Sequence, residues 1–125
     1  MIPGSKRNHP TLLKSFGFAW QGFRIALREE RNIKIMLGIG AAAIACGFIV
    51  RLDLVSWGLL ILCCGLVIGV ELINTSIETI VDLVSPEYHP LAGRAKDIAA
   101  AAVYMTCIAV AIAGICIFVR AILFR

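Results

Sequence analysis

The sequence contains no P-loop, no cysteine or histidine pattern with zinc or haem spacing, no internal repeat and no low-complexity tract. Without a Gly-x-x-x-x-Gly-Lys-Ser/Thr loop, a Walker-type phosphate cradle is excluded. The five cysteines, Cys46, Cys63, Cys64, Cys107 and Cys116, are odd in number and all sit inside apolar runs. They read as small hydrophobes, not as disulfide or metal partners. Nor do aromatic residues interleave with basic ones on a soluble face. The basic residues flank apolar stretches, which excludes nucleic acid as the partner and suits a membrane surface. A short basic region leading into an apolar core is missing too: the first long apolar run begins only near Ile35. No cleavable signal peptide is therefore expected.

What the chain does have is hydrocarbon. Of its 125 residues 60% are hydrophobic, and the mean hydropathy is +0.91. That is too apolar for an ordinary soluble domain and indicates an integral membrane protein. Residues 1–10, with Pro3, Gly4, Lys6, Arg7 and Pro10, show no apolar period, and disorder is expected there. From Thr11, an N-cap candidate, Leu12, Phe16, Trp20, Phe23 and Leu27 recur at helical spacing, while Lys14, Gln21, Arg24, Arg28 and Arg31 take the other side. A basic amphipathic helix with Trp and Phe on its apolar face should lie in the membrane interface.

Three spans follow. Ile35 to Val50 is rich in Gly and Ala, and Arg51-Leu52-Asp53 makes a short charged turn. Leu54 to Val70 is uncharged, with Trp57 as an interfacial anchor, and its helix should continue to about Val84. Pro86 and Pro90 break it, and a last helix starting near Leu91 is wholly apolar from Ile98 to Val119. The expected fold is all-α and integral to the membrane, a single domain over 11–125. It comprises a surface helix over 11–32 and membrane helices over 34–50, 54–84 and 91–120.

Counting the basic residues gives the orientation. Lys6, Arg7, Lys14, Arg24, Arg28, Arg31, Lys34, Arg94 and Lys96 lie on one side; Arg51, Arg120 and Arg125 lie on the other. Nine against three places the N-terminus in the cytoplasm and the C-terminus outside. Small residues on the last span (Ala99–Ala102, Ala109, Ala111, Ala113, Gly114) and the Gly65/Gly69 pair suit close helix contacts within or between subunits.

The cytoplasmic side is also where the acids gather. At about 100° per residue, Glu71, Asn74, Glu78 and Asp82 fall within roughly a quarter of a helix circumference. An ionised acid near the bilayer centre would cost about 2.5–3.5 kcal/mol. Such a stripe survives only at headgroup level, around a cation, or against partners from other helices. Glu29, Glu30, Glu87, His89, Lys96 and Asp97 lie on the same side. Carboxylates without thiol or paired imidazole ligands suit a hard cation, magnesium above all. With a lysine to offset phosphate charge, the set favours phosphoryl transfer to a lipid. The same groups would equally serve a non-catalytic ion-binding subunit. A transporter fits less well, because the acids sit at one face instead of the midplane. Asp82 has two structural alternatives, capping and pairing with Arg94; for His89 the alternative is a hydrogen bond within the loop.

The segment Glu71-Leu72-Ile73-Asn74-Thr75-Ser76-Ile77-Glu78-Thr79-Ile80-Val81-Asp82 resembles the signature of the prokaryotic diacylglycerol kinase family, which includes the undecaprenol kinases. Glu87-Tyr88-His89-Pro90-Leu91-Ala92-Gly93-Arg94-Ala95-Lys96-Asp97 resembles the family's second block. The likeness runs from the Trp20 helix to the last span. It implies a homotrimer in the bacterial inner membrane, with sites shared between subunits, that transfers the γ-phosphate of magnesium-ATP to a lipid alcohol. By position, Glu71 is similar to the family's catalytic base and Asn74 to an essential amide. Glu30 and Glu78 resemble its metal-binding pair. Glu87, Tyr88, His89, Lys96 and Asp97 match nucleotide-contacting positions. The chain departs from the family at Thr11 and Phe18, where an arginine and a tyrosine are common, so Lys14 or Arg7 is expected to contact the nucleotide instead. Glu30-Arg31-Asn32 and Trp57 look more like the undecaprenol kinase branch, whereas Glu87-Tyr88-His89 with Gly93-Arg94-Ala95-Lys96-Asp97 looks more like the diacylglycerol kinase branch. Undecaprenol is the favoured acceptor and diacylglycerol the alternative.

Overall fold

Apolar runs interrupted by only a few helix breakers give four helices: α1 Leu12–Glu29, α2 Arg31–Val50, α3 Leu54–Val84 and α4 Pro90–Leu123. The computed structural model describes residues 11–124, so the disorder expected of residues 1–10, and Arg7 and Arg125, lie outside the described residues. Helices α2, α3 and α4, of 20, 31 and 34 residues, are each long and apolar enough to cross a membrane. In hydrocarbon a helix satisfies its own backbone, which is why these stretches take no other form. No more than 17% of the most apolar window of any of the three is buried inside the chain. What surrounds them must itself be apolar.

Helix α1 carries Leu12, Leu13, Phe16 and Trp20 exposed along its outer side, and the Trp20 and Phe23 rings meet at 5.9 Å. Thr11 occupies the N-cap position through its backbone, its carbonyl accepting from the Ser15 N–H at 3.0 Å; its hydroxyl makes no cap bond. The α1–α2 break comes at Glu30, where the backbone is extended, and not at residues 32–34 as the hydrophobic rhythm suggests. Arg31 thus opens α2. Ala26 and the fully buried Ile33, on either side of the break, fix it against the bundle.

Helices α3 and α4 form the main antiparallel hairpin, with α2 alongside α3 and α1 reaching both α2 and α3. The buried core sits at one end, where Leu52, Leu60 and Ile117 pack with Trp57, Ala43 and Ile44. There Trp57 lies on Phe48 at 4.7 Å, so the expected interfacial anchor also serves packing. Arg51 closes α2 in the left-handed conformation (φ 55°), and the Leu52 N–H donates to the Gly47 carbonyl at 3.1 Å. Asp53 caps α3, accepting from the Ser56 N–H at 2.9 Å and the Ser56 hydroxyl at 3.0 Å, with Arg120 of α4 3.7 Å away. The Ser56 bonds, its backbone N–H first, hold the Asp53 carboxyl below the ordinary carboxylate range, and Arg120 adds to them.

Candidate active site

At a rise of about 1.5 Å per residue, Glu71 lies about 26 Å along α3 from Leu54. The hydrocarbon core of a bilayer is about 30 Å thick, so Glu71 stands near the far end of the stretch of α3 that is long enough to cross it. Glu71 is 1% exposed and Asn74 8% exposed, the two buried residues in the last four turns of α3. The Asn74 amide donates to Glu78 Oε1 at 3.1 Å. Glu71 Oε2 and Asn74 Oδ1, both fully enclosed, have no hydrogen-bond partner. A buried polar atom without a partner costs about 1–3 kcal/mol, more when charged. Native chains rarely leave two side by side, so this pair is open to a group from outside the chain, whether water, a ligand or a second subunit.

Three of the four stripe residues therefore stand together: Glu71 and Asn74 buried, Glu78 half-buried and tied to Asn74. Glu30 sits elsewhere, half-buried at the α1–α2 break. Its carboxylate does not cap α2, which leaves it available to a ligand. Among the described residues no three His, Cys, Asp or Glu side chains gather at metal-holding range. Magnesium needs no such triad, since one or two carboxylates plus substrate phosphates and water suffice. The all-oxygen character of Glu30, Glu78 and the unpartnered Glu71 and Asn74 atoms fits a hard cation.

The α3–α4 connection supplies the second half of the site. The Ser85 hydroxyl donates to the Glu87 carbonyl at 2.9 Å, and Pro90 occupies the first turn of α4, where its missing N–H is harmless. His89 caps α4, its Nδ1 accepting from the Leu91 N–H at 3.2 Å. The loop bond offered by the sequence is the one it makes. Asp82, Glu87, Tyr88, His89, Gly93 and Lys96 line an open pocket of about 200 Å³. Four of the five residues matched to nucleotide contacts are thus brought together. The fifth, Asp97, is exposed outside that lining.

One pairing differs from the sequence reading. Asp82 bonds to Lys96, with Nζ 2.5 Å from Oδ1, and not to Arg94, which is exposed. The reason is helix register. Ala92, Lys96, Ala99 and Val103 follow one another at spacings of four, three and four, and Ala99 and Val103 are buried. Arg94 lies on another face. The small-residue stripe, traced back toward the loop, carries the signal for Lys96.

A separate apolar cavity of about 320 Å³ lies among α2, α3 and α4, lined by Met36, Gly40, Cys63, Val67, Cys107 and Gly114 with their neighbours. Val67 is one helical turn below Glu71, on the same face of α3.

Residues 17–118 match the family described as prokaryotic diacylglycerol kinase. The chain is 40% identical over 105 residues to the undecaprenol kinase of Bacillus subtilis (strain 168), covering 84% of this chain and 85% of that protein. It is 40% identical over 115 residues to a diacylglycerol kinase of Synechocystis sp. (strain ATCC 27184 / PCC 6803 / Kazusa), covering 91% of this chain and 66% of the relative. With the diacylglycerol kinase of Escherichia coli (strain K12) it shares 38% identity over 102 residues, 78% of this chain and 80% of the other.

Proposed function

The chain belongs to the prokaryotic diacylglycerol kinase family and is a lipid kinase; from that premise we propose that it transfers the γ-phosphate of magnesium-ATP to the hydroxyl of undecaprenol. The observation that carries the assignment of the site is the buried, unpartnered pair Glu71 Oε2 and Asn74 Oδ1 near the far end of the stretch of α3 that is long enough to cross the hydrocarbon. A lipid alcohol is held by its tail at that depth. Glu71 is the base: its free oxygen accepts the hydroxyl proton as the alcohol oxygen bonds to the γ-phosphorus and the bond to the bridging oxygen of ADP breaks. Asn74 orients the site by holding Glu78 and leaving its own carbonyl oxygen to the incoming groups. Glu30 and Glu78 would hold magnesium, which supplies charge neutralisation at the phosphates. Glu87, Tyr88, His89, Lys96 and Asp97 take the nucleotide.

The apolar cavity below Glu71 supports a slender tail lying along α3, and so does the likeness of Glu30-Arg31-Asn32 and Trp57 to the undecaprenol branch. Diacylglycerol is the second reading, favoured by the loop block Glu87-Tyr88-His89 and by relatives of that name at similar identity. The ion-binding subunit loses its footing once the chain is a kinase. We place the site and N-terminus in the cytoplasm and the C-terminus outside the inner membrane, on the nine-to-three basic asymmetry. A homotrimer with shared sites would bring partners to Glu71, and the open space around Gly65 and Gly69 of α3 leaves room for close helix approach.

The test is a phosphorylation assay on purified protein with radiolabelled ATP, with and without magnesium, offering each alcohol in turn. Labelled undecaprenyl phosphate exceeding labelled phosphatidic acid, and only with magnesium, is expected. Equal or reversed turnover removes the undecaprenol assignment, and transfer unaffected by chelation removes the metal.

A further inference from the structure

Asp82 is the last acid of the α3 stripe and the one for which the reaction described above has no use. It stands one helical turn beyond Glu78 and reaches across to α4, where its Oδ1 meets Lys96 Nζ. Both residues line the pocket shared with Glu87, Tyr88 and His89. As a staple the pair is superfluous. Both side chains are at least one-third exposed, and pairs so exposed contribute little stability. The hairpin is already closed by the Ser85 and His89 bonds and by the packing of Ala99 and Val103.

What the contact does fix is direction. A lysine ammonium on four methylenes samples many rotamers when free. It carries three N–H donors, of which Asp82 takes one and leaves two. We propose that Asp82 is a positioning residue for phosphoryl transfer, holding the Lys96 ammonium over the α3–α4 pocket so that its two remaining donors face the nucleotide phosphates. This rests on the reading that Lys96 contacts the nucleotide. An acid beside a triphosphate also repels it, and Glu87 lines the same pocket, so the sign of the effect is itself informative.

The experiment compares Asp82→Asn, Asp82→Glu, Lys96→Ala and the double variant Asp82→Asn/Lys96→Ala in the full-length protein, measuring kcat and the KM for magnesium-ATP and for lipid separately. Asp82→Asn should raise the KM for magnesium-ATP on the order of fivefold, with the lipid KM and thermal midpoint near wild type. Asp82→Glu, which keeps the charge and moves it by one methylene, should recover most of that loss. In the Lys96→Ala background Asp82→Asn should add nothing further. The positioning role is overturned, with the nucleotide site intact, if Asp82→Asn multiplies the Lys96→Ala defect, lowers the nucleotide KM, or raises both KM values together. If Asp82→Asn does not fold, the Asp82→Glu comparison decides, a rise in lipid KM alone counting against the role. An unchanged nucleotide KM in Lys96→Ala overturns instead the assignment of Lys96 to the nucleotide, and this inference with it.

Discussion

At the Arg51 end of the bundle polar groups are matched and apolar ones are packed. Asp53 places both oxygens on Ser56, and Leu52, Leu60 and Ile117 close together against Trp57. At the Glu71 end the same helix α3 buries a carboxylate and an amide and leaves an oxygen of each without a partner. The first end has the features of a fold, the second those of a fold that has conceded stability to a site. Because the two ends share α3, the difference is not one of helix quality. It lies in which atoms have been given partners by the chain itself.

The largest expected break in that comparison is Glu71→Gln. It keeps the shape and removes the base, so kcat should fall on the order of a thousandfold. It also removes an unpaired buried carboxylate, so the thermal midpoint in detergent should stay level or rise. Transfer assays and melting curves on one preparation check both. A midpoint that falls together with kcat would mean that Glu71 is paired for stability and that the two ends do not differ as described.

Gly47→Ala should do the reverse. A Cβ there would lie 2.9 Å from the Trp57 ring and 3.0 Å from Leu52, and neither neighbour is a loose chain end. Overpacking of this kind costs about 1–3 kcal/mol. The midpoint should drop by several degrees while kcat per folded molecule holds. Loss of kcat at temperatures where the variant remains folded would couple the ends.

Acid sharpens the same end more gently. The Asp53 carboxyl is held below its ordinary value by Ser56 and then Arg120, so its contribution is fully present above the unfolded carboxylate pKa, about 3.9. That contribution is lost as pH falls through the lower folded-state value. Asp53→Asn cannot titrate there, so the midpoint gap between wild type and variant should be constant near neutrality and shrink below about pH 4. A gap that ignores pH would show that the charge of Asp53 is irrelevant to its capping.

Most of the architecture could be read from the chain because hydrocarbon imposes one solution on long apolar runs. Leu54–Val84 is observed with the limits expected from its flanking Asp53 and Pro86. The α1–α2 break was less legible: Glu30 has no proline or glycine beside it, and the early start of α2 follows from the burial of Ile33, a tertiary fact. At the site, the stripe Glu71, Asn74, Glu78 and Asp82 followed from helical periodicity alone. That Asp82 meets Lys96 and not Arg94 was legible only by tracing the small-residue stripe of α4 back to Lys96, because the periodicity of α3 says nothing of how two helices are turned toward each other. The pairing of Glu30 with Glu78 rests on the family resemblance, and periodicity is silent on it.

The smallest effect is expected at Arg51, where the two ends can be shown to be independent. Its φ of 55° is the single positive value among non-glycine residues of the described chain. A side chain in that conformation costs about 1–2 kcal/mol, which glycine would relieve. Glycine also frees the unfolded chain, an opposing cost of roughly 0.5–1 kcal/mol. The balance favours Arg51→Gly by roughly 0–1.5 kcal/mol, a rise of at most a few degrees in midpoint. Melting curves resolve that much if kcat serves as the internal standard, since about 26 Å of α3 separates the Arg51 turn from Glu71. A fall in midpoint would mean that the arginine side chain contributes more at its end of the bundle than its backbone costs. An altered kcat would mean that the turn at Arg51 helps to set the position of Glu71, so that the packed end fixes where the unsatisfied end stands.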